Sequence, residues 1–113
     1  MIAEIVSLPH YESQVADLLT EDERSVMEFF IALSPEGHPV IPRSGGFRKA
    51  RWAVAGQGKR GGLRIIYYFI SPPGRVYMMN IYAKSRQTDL SESDLKLLDA
   101  LAVQIKRIER KGH

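Results

Sequence analysis

Apolar side chains recur along this chain in two rhythms. A short apolar start, Ile2 to Val6, suits an edge strand. Over residues 10–19, Val15, Leu18 and Leu19 fall on one side of a helix. Thr20-Glu21-Asp22-Glu23 has the form of a capping box, with Thr20 as N-cap and Glu23 reaching back. The helix it opens runs to about Leu33 and is expected to bury Val26, Met27, Phe30 and Leu33. Ser34-Pro35-Glu36-Gly37 stops it, and the prolines and glycines from His38 to Gly46 exclude helix and strand alike. From Phe47 the period changes to two. Ala50, Trp52 and Val54 take one face of a strand, Lys49, Arg51 and Ala53 the other. Leu63–Ile70 is β-branched and aromatic, and Val76–Lys84 follows the turn Ser71-Pro72-Pro73-Gly74. Connections this short predict an antiparallel meander. The helical period then returns: Ser91 caps a helix whose stripe is Leu95, Leu98, Leu101, Ala102, Ile105 and Ile108.

Helices, then sheet, then helix make an α+β domain: two N-terminal helices, an antiparallel sheet of three to four strands and a C-terminal helix. At 113 residues the chain fits one domain, residues 1–113, with enough apolar surface to need no staple. There is no cysteine, which removes disulfides and thiolate chemistry. No apolar run reaches the length of a membrane span, and the N-terminus lacks the features of a signal peptide, so a cytoplasmic protein with no membrane partner is expected.

Charge is sharply segregated. Residues 1–36 carry eight acidic side chains and one basic one, Arg24. Residues 37–88 carry ten Lys or Arg and no Asp or Glu. The remainder is balanced. A polyanion is the expected partner of the middle segment, the alternative being ion pairing of its cations with the acidic helices.

Several chemistries are excluded by what is missing. His10, His38 and His113 have no metal-ligand spacing, and the basic segment holds no carboxylate for two-metal or two-carboxylate hydrolysis. Gly56-Gln57-Gly58-Lys59 lacks the frame and the hydroxyl of a phosphate-binding loop, and Ser44-Gly45-Gly46 is no nucleophile elbow. Neither a metal nor a cofactor is expected. The positive case rests on faces. Lys49 and Arg51 share one; Arg64 shares one with Ile66 and Tyr68; Asn80, Tyr82 and Lys84 share one. If the helices all pack on the other side of the sheet, these groups form an open cationic groove with Tyr68 and Tyr82 as walls for unpaired bases. Such a groove can cleave RNA by attack of the neighbouring 2′-hydroxyl. Lys49 or Lys84 would move protons, and Arg51 and Arg64 would stabilise the charged phosphorus centre.

The runs Gly46-Phe47-Arg48-Lys49-Ala50-Arg51-Trp52 and Gly56-Gln57-Gly58-Lys59-Arg60-Gly61-Gly62-Leu63-Arg64-Ile65-Ile66-Tyr67-Tyr68 resemble the central signature of RelE/HigB-family toxins. Ile81-Tyr82-Ala83-Lys84-Ser85 with Asp89-Leu90 resembles the block that follows. The glycine-lysine-arginine-glycine-glycine spacing is the most specific part, and it is closest to the HigB-like branch. The resemblance spans nearly the whole chain. It implies a RelE-like fold and the toxin of a type II toxin-antitoxin system, a ribosome-dependent mRNA endoribonuclease. The implied partners are the ribosome, mRNA and a cognate antitoxin, often a helix-turn-helix protein. The family's paired basic residues and its third-strand arginine map onto Lys49, Arg51 and Arg64. Where RelE ends in an arginine and a tyrosine, this chain has Lys84, Ser85 and Arg86 and continues into a long helix, so Tyr82 and Lys84 are the substitutes. Arg48, Lys59, Arg60, Tyr68 and Arg86 are the expected RNA-binding residues. A ParE-like gyrase inhibitor and a non-catalytic RNA-binding regulatory module are the competing functions.

Overall fold

The computed structural model describes residues 2–54, 62–85 and 90–111. Strand β1 (Glu4–Ser7) leads into helices α1 (Pro9–Leu18) and α2 (Glu21–Leu33). Strands β2 (Arg48–Ala53), β3 (Gly62–Ile70) and β4 (Arg75–Ala83) and helix α3 (Glu92–Lys111) follow. The glycine-rich segment expected to form a turn, with Lys59 and Arg60, and Arg86 lie outside the described residues.

The four strands form one sheet in the order β1-β4-β3-β2. β2, β3 and β4 make the expected antiparallel meander, whereas β1 pairs with β4 in parallel, from Glu4 beside Arg75 to Ser7 beside Met78. The sheet is therefore mixed. Two helices intervene between β1 and the meander, a crossover long enough for a parallel return.

Each helix begins where its local chemistry dictates. Pro9 stands in the first turn of α1, where no amide donor is needed. Thr20 Oγ1 accepts from the Glu23 amide at 3.2 Å, and the Glu23 carboxylate accepts from the Thr20 amide at 2.9 Å. Ser91 and Asp94 repeat that reciprocal pattern at the start of α3, at 3.1 and 3.0 Å.

The sheet is covered on both sides. On one, Tyr11, Val15, Met27 and Ile31 from α1 and α2 pack on Ala50, Ile65, Tyr67, Val76, Met78 and Ile81. On the other, Leu98, Ala102 and Ile105 of α3 pack on Phe47, Ile66, Tyr68 and Tyr77. Two expected stripes are rotated from their predicted positions. In α2 the buried residues are Met27, Ile31 and Ala32, while Val26, Phe30 and Leu33 point outward with Phe29. Apolar residues occur around most of this helix, so its own pattern does not select a face. In α3, Ile108 is exposed and Glu109 is buried instead. Glu109 accepts from Arg75 Nη1 at 2.7 Å and from the Tyr77 hydroxyl, tying the end of α3 to β4. Burial and that bond to Glu109 push Tyr77 up to about 12.

The segment before β2 carries α3. Ser44 is wholly buried and donates to the Ile41 carbonyl at 2.7 Å. Gly45 has φ +81°, and a Cβ there would lie 2.9 Å from Ala102 Cβ and 3.1 Å from Asp99 Cα, so α3 rests directly on backbone. Ser44-Gly45-Gly46 is thus a packing element.

Candidate functional site

Pairing across the meander decides which cations meet. Arg51 stands opposite Arg64, and Arg64 opposite Tyr82, so the three form one rung on one face. Lys49, Ile66 and Asn80 form the next rung. Beyond the other side, the Lys84 amide donates to the Gly62 carbonyl at 3.1 Å, which continues the pairing past the end of β4. Lys49 and Lys84 are both diagonal neighbours of Arg64, with Cα separations of roughly 7–8 Å. Arg64 is the centre of the group.

Arg51 and Lys84 are exposed, and Lys49 and Arg64 are partly exposed. Two arginines directly opposed across a strand pair repel each other, and the sheet does not recover that cost by neutralising them. Among the described residues the ion pairs belong to Arg24, Arg43 and Arg75, and none to Lys49, Arg51, Arg64 or Lys84. Arg64 Nη1 donates at 3.3 Å to the Leu63 carbonyl, a bond within its own backbone neighbourhood. Among the described residues no carboxylate competes for the cations of this face, and their disposition suits a phosphate.

Not every expected site residue joins them. Arg48 lies on the opposite face, paired with Tyr67, and donates to the carbonyls of His38 at 2.8 Å and Glu36 at 3.2 Å. Strand alternation separates it from Lys49, and it serves to hold the loop before β2. Tyr68 is 6% exposed, its ring 5.2 Å from Phe47 beneath α3. Tyr82 is 7% exposed and belongs to the same apolar cluster. Neither ring offers an open stacking platform, because α3 packs on the face that was expected to be free. The open face is consequently reduced to its cations, Arg51 and Lys84 exposed and Lys49 and Arg64 partly so.

Two cavities of this region were not anticipated from the sequence. Asn80 lines a cavity of about 470 Å³ between β4 and the first turns of α3. Its Oδ1 is buried with no hydrogen-bond partner among the described residues. A polar residue within an apolar strand is the signal that points to it. Lys49 itself borders a second cavity of about 250 Å³, with Ile41, Pro42 and Leu95 among its walls. Among the described residues no group of three His, Asp or Glu side chains could hold a metal, and no helix is long and apolar enough to cross a membrane.

No family model matches the sequence. Among solved structures the chain is similar to a double-arginine mutant of the E. coli toxin RelE in the free state, with a TM-score of 0.52 and 12% identity. The match covers 77% of this chain and 88% of that one. Helices on both faces of a four-stranded mixed sheet, with a C-terminal helix on the cationic side, are thus an α+β architecture of the RelE-like fold.

Proposed function

We propose that this chain is the toxin of a type II toxin-antitoxin system, of the HigB-like branch, and cleaves mRNA on the ribosome. The observation that carries the reading is the rung Arg51–Arg64–Tyr82, flanked diagonally by Lys49 and Lys84 and set in a RelE-like fold. Four cations around one position, none neutralised by a carboxylate among the described residues, suit a scissile phosphate.

In the reaction the 2′-oxygen loses its proton and bonds to phosphorus, while the bond to the 5′-oxygen breaks and that oxygen takes a proton. The products are a 2′,3′-cyclic phosphate and a 5′-hydroxyl. Negative charge grows on the non-bridging oxygens as the phosphorus becomes five-coordinate. Arg64, with Arg51 beside it, offers fixed donors to those oxygens, and a guanidinium fork can grip two of them at once. Lys49, Lys84 and Tyr82 are the groups proposed to move the two protons. The ribosome and mRNA are the proposed targets, a helix-turn-helix antitoxin the proposed inhibitor and the cytoplasm the proposed compartment.

Inducible expression with primer-extension mapping of mRNA ends tests the reading. Wild type should arrest growth and leave new ends within codons. Arg64→Ala should lower cleavage by about 10²–10³-fold, the usual effect of losing one donor to a charged transition state. A soluble, folded Arg64→Ala protein that still cleaves at the wild-type rate removes the assignment. Growth arrest with DNA breaks and intact mRNA would point instead to a gyrase inhibitor.

A further inference from the structure

We infer that the outer face of α2 is a docking surface for a basic amphipathic helix of a partner polypeptide. The inference stands apart from the nuclease reading, because α2 packs on the side of the sheet away from the cationic rung.

The helix carries apolar residues in two stripes. Met27 and Ile31 turn inward onto the sheet. Val26, Phe29, Phe30 and Leu33 stand at i, i+3, i+4 and i+7, so they share one face of the helix, and all four point outward, 42–58% exposed. The apolar surface continues beyond the helix. The Phe30 ring lies 5.3 Å from that of Trp52 on β2, and Val40, bridged to the start of β2, is itself exposed. Single exposed apolar residues are ordinary on a protein surface, whereas a contiguous run of them marks a contact with another molecule. Residues at this spacing form the ridges between which the side chains of a second helix seat.

Charge names the partner. One turn before Val26 stands Asp22, with Glu21 beside it, and Glu36 follows the end of the helix; all three are exposed. The cations that could offset them are engaged. Arg24 pairs with Glu12 and Glu28, and Arg48 donates to the carbonyls of Glu36 and His38. An apolar stripe with an acidic border is complemented by an apolar stripe with a basic one. A second copy of this chain does not supply it. Two α2 faces brought together, parallel or antiparallel, set carboxylates against carboxylates. An anionic lipid surface is repelled for the same reason.

The test titrates the whole protein with two synthetic helical peptides and follows backbone amide resonances. Both peptides carry Leu at i, i+3, i+4 and i+7; one is flanked by Lys, the other by Glu. The Lys peptide should shift Val26, Phe29, Leu33 and Val40. It should bind about tenfold more tightly than the Glu peptide at low salt, and the gap should close as salt screens the charges. Phe29→Asp, at an outward position, should weaken the Lys peptide by about tenfold or more while the protein stays folded. Asp22→Lys should narrow the gap between the two peptides. Inorganic phosphate should shift Lys49, Arg51 and Arg64 equally with and without the Lys peptide. Equal binding of the two peptides, unchanged binding to a folded Phe29→Asp protein, or loss of the phosphate response would each overturn the assignment. So would shifts of the same four residues on simple dilution, which would give the face to a second copy, or on adding phosphatidylglycerol vesicles, which would give it to lipid. The two readings fail separately: absence of mRNA cleavage in cells touches the nuclease alone, and absence of peptide binding touches this face alone.

Discussion

Arg24 is the lone cation among the first 36 residues, and the structure makes it the joint between β1, α1 and α2. Its Nε donates to Glu28 at 2.9 Å, its Nη2 donates to Ser7 Oγ at 3.2 Å and pairs with Glu12, and the guanidinium lies 5.3 Å from the centre of the Tyr11 ring. Tyr11, wholly buried, donates its hydroxyl to the same Glu28 oxygen at 2.6 Å. The Arg24 and Glu28 side chains are only 17% and 18% exposed, so this is not an ordinary surface pair. Arg24→Met keeps the aliphatic stem and removes the charge. It loses a charge-assisted bond to Glu28 of about 1.5–3 kcal/mol. It also loses a cation–π contact of roughly 0.5–1 kcal/mol. The exposed bond to Glu12 adds a smaller amount. The expected loss is about 3 kcal/mol, read from urea unfolding followed by circular dichroism, or a fall in melting temperature of about 10–15 °C. Glu28→Gln preserves an acceptor for Tyr11 and should cost less. The double variant should be less destabilised than the sum of the two, with a coupling above about 1 kcal/mol.

The same contact has a pH signature. The bond from Arg24 holds the Glu12 carboxyl below its ordinary 4.5, so the folded state binds fewer protons than the unfolded one. That stabilisation is present above the ordinary value and is lost as pH falls through the lowered folded one. Arg24→Met should therefore flatten this part of the acid limb. A loss under about 0.5 kcal/mol with an unchanged acid limb would refute the reasoning, since that is how a solvated surface pair behaves.

Two further outcomes follow from other parts of the fold. Gly45→Ala puts a Cβ on a residue at φ +81°, against Ala102 and the Asp99 backbone, and should cost about 2–4 kcal/mol in thermal unfolding; a neutral result would mean that α3 does not rest on this loop. His38, set among Phe30 and Tyr67, is held below its usual 6.5 by burial and then by the Arg48 charge. Its folded state takes up a proton less readily than the unfolded chain, so stability should fall as pH drops below 6.5. The urea midpoint of His38→Gln should change less between pH 7 and 5 than that of wild type, and parallel curves would count against this source of pH dependence.

Element types and ends were legible in the sequence because they depend on neighbours a few residues apart. The reciprocal cap at Thr20 and Glu23 and the cap at Ser91 form as their spacing requires. The alternation from Lys49 to Val54 assigns faces correctly, including the separation of Arg51 from Trp52. The concentration of Lys and Arg in the middle of the chain also located the candidate site, because β2, β3 and β4 are themselves that segment.

Which face each element buries, and against what, was settled only by contacts between distant parts of the chain. Nothing local tells α3 to cover the side of the sheet that carries Tyr68, yet that choice buries both Tyr68 and Tyr82. Residues on all sides of α2 are apolar, so the selection of Met27 and Ile31 over Val26 and Phe30 came from packing on the sheet. Strand register was likewise non-local. A slip of one residue between β2 and β3 would turn Arg51 from Arg64 to the other face. Periodicity encodes a direction relative to the local backbone; tertiary packing alone converts directions into neighbours, and the rung of Arg51, Arg64 and Tyr82 exists only at that second level.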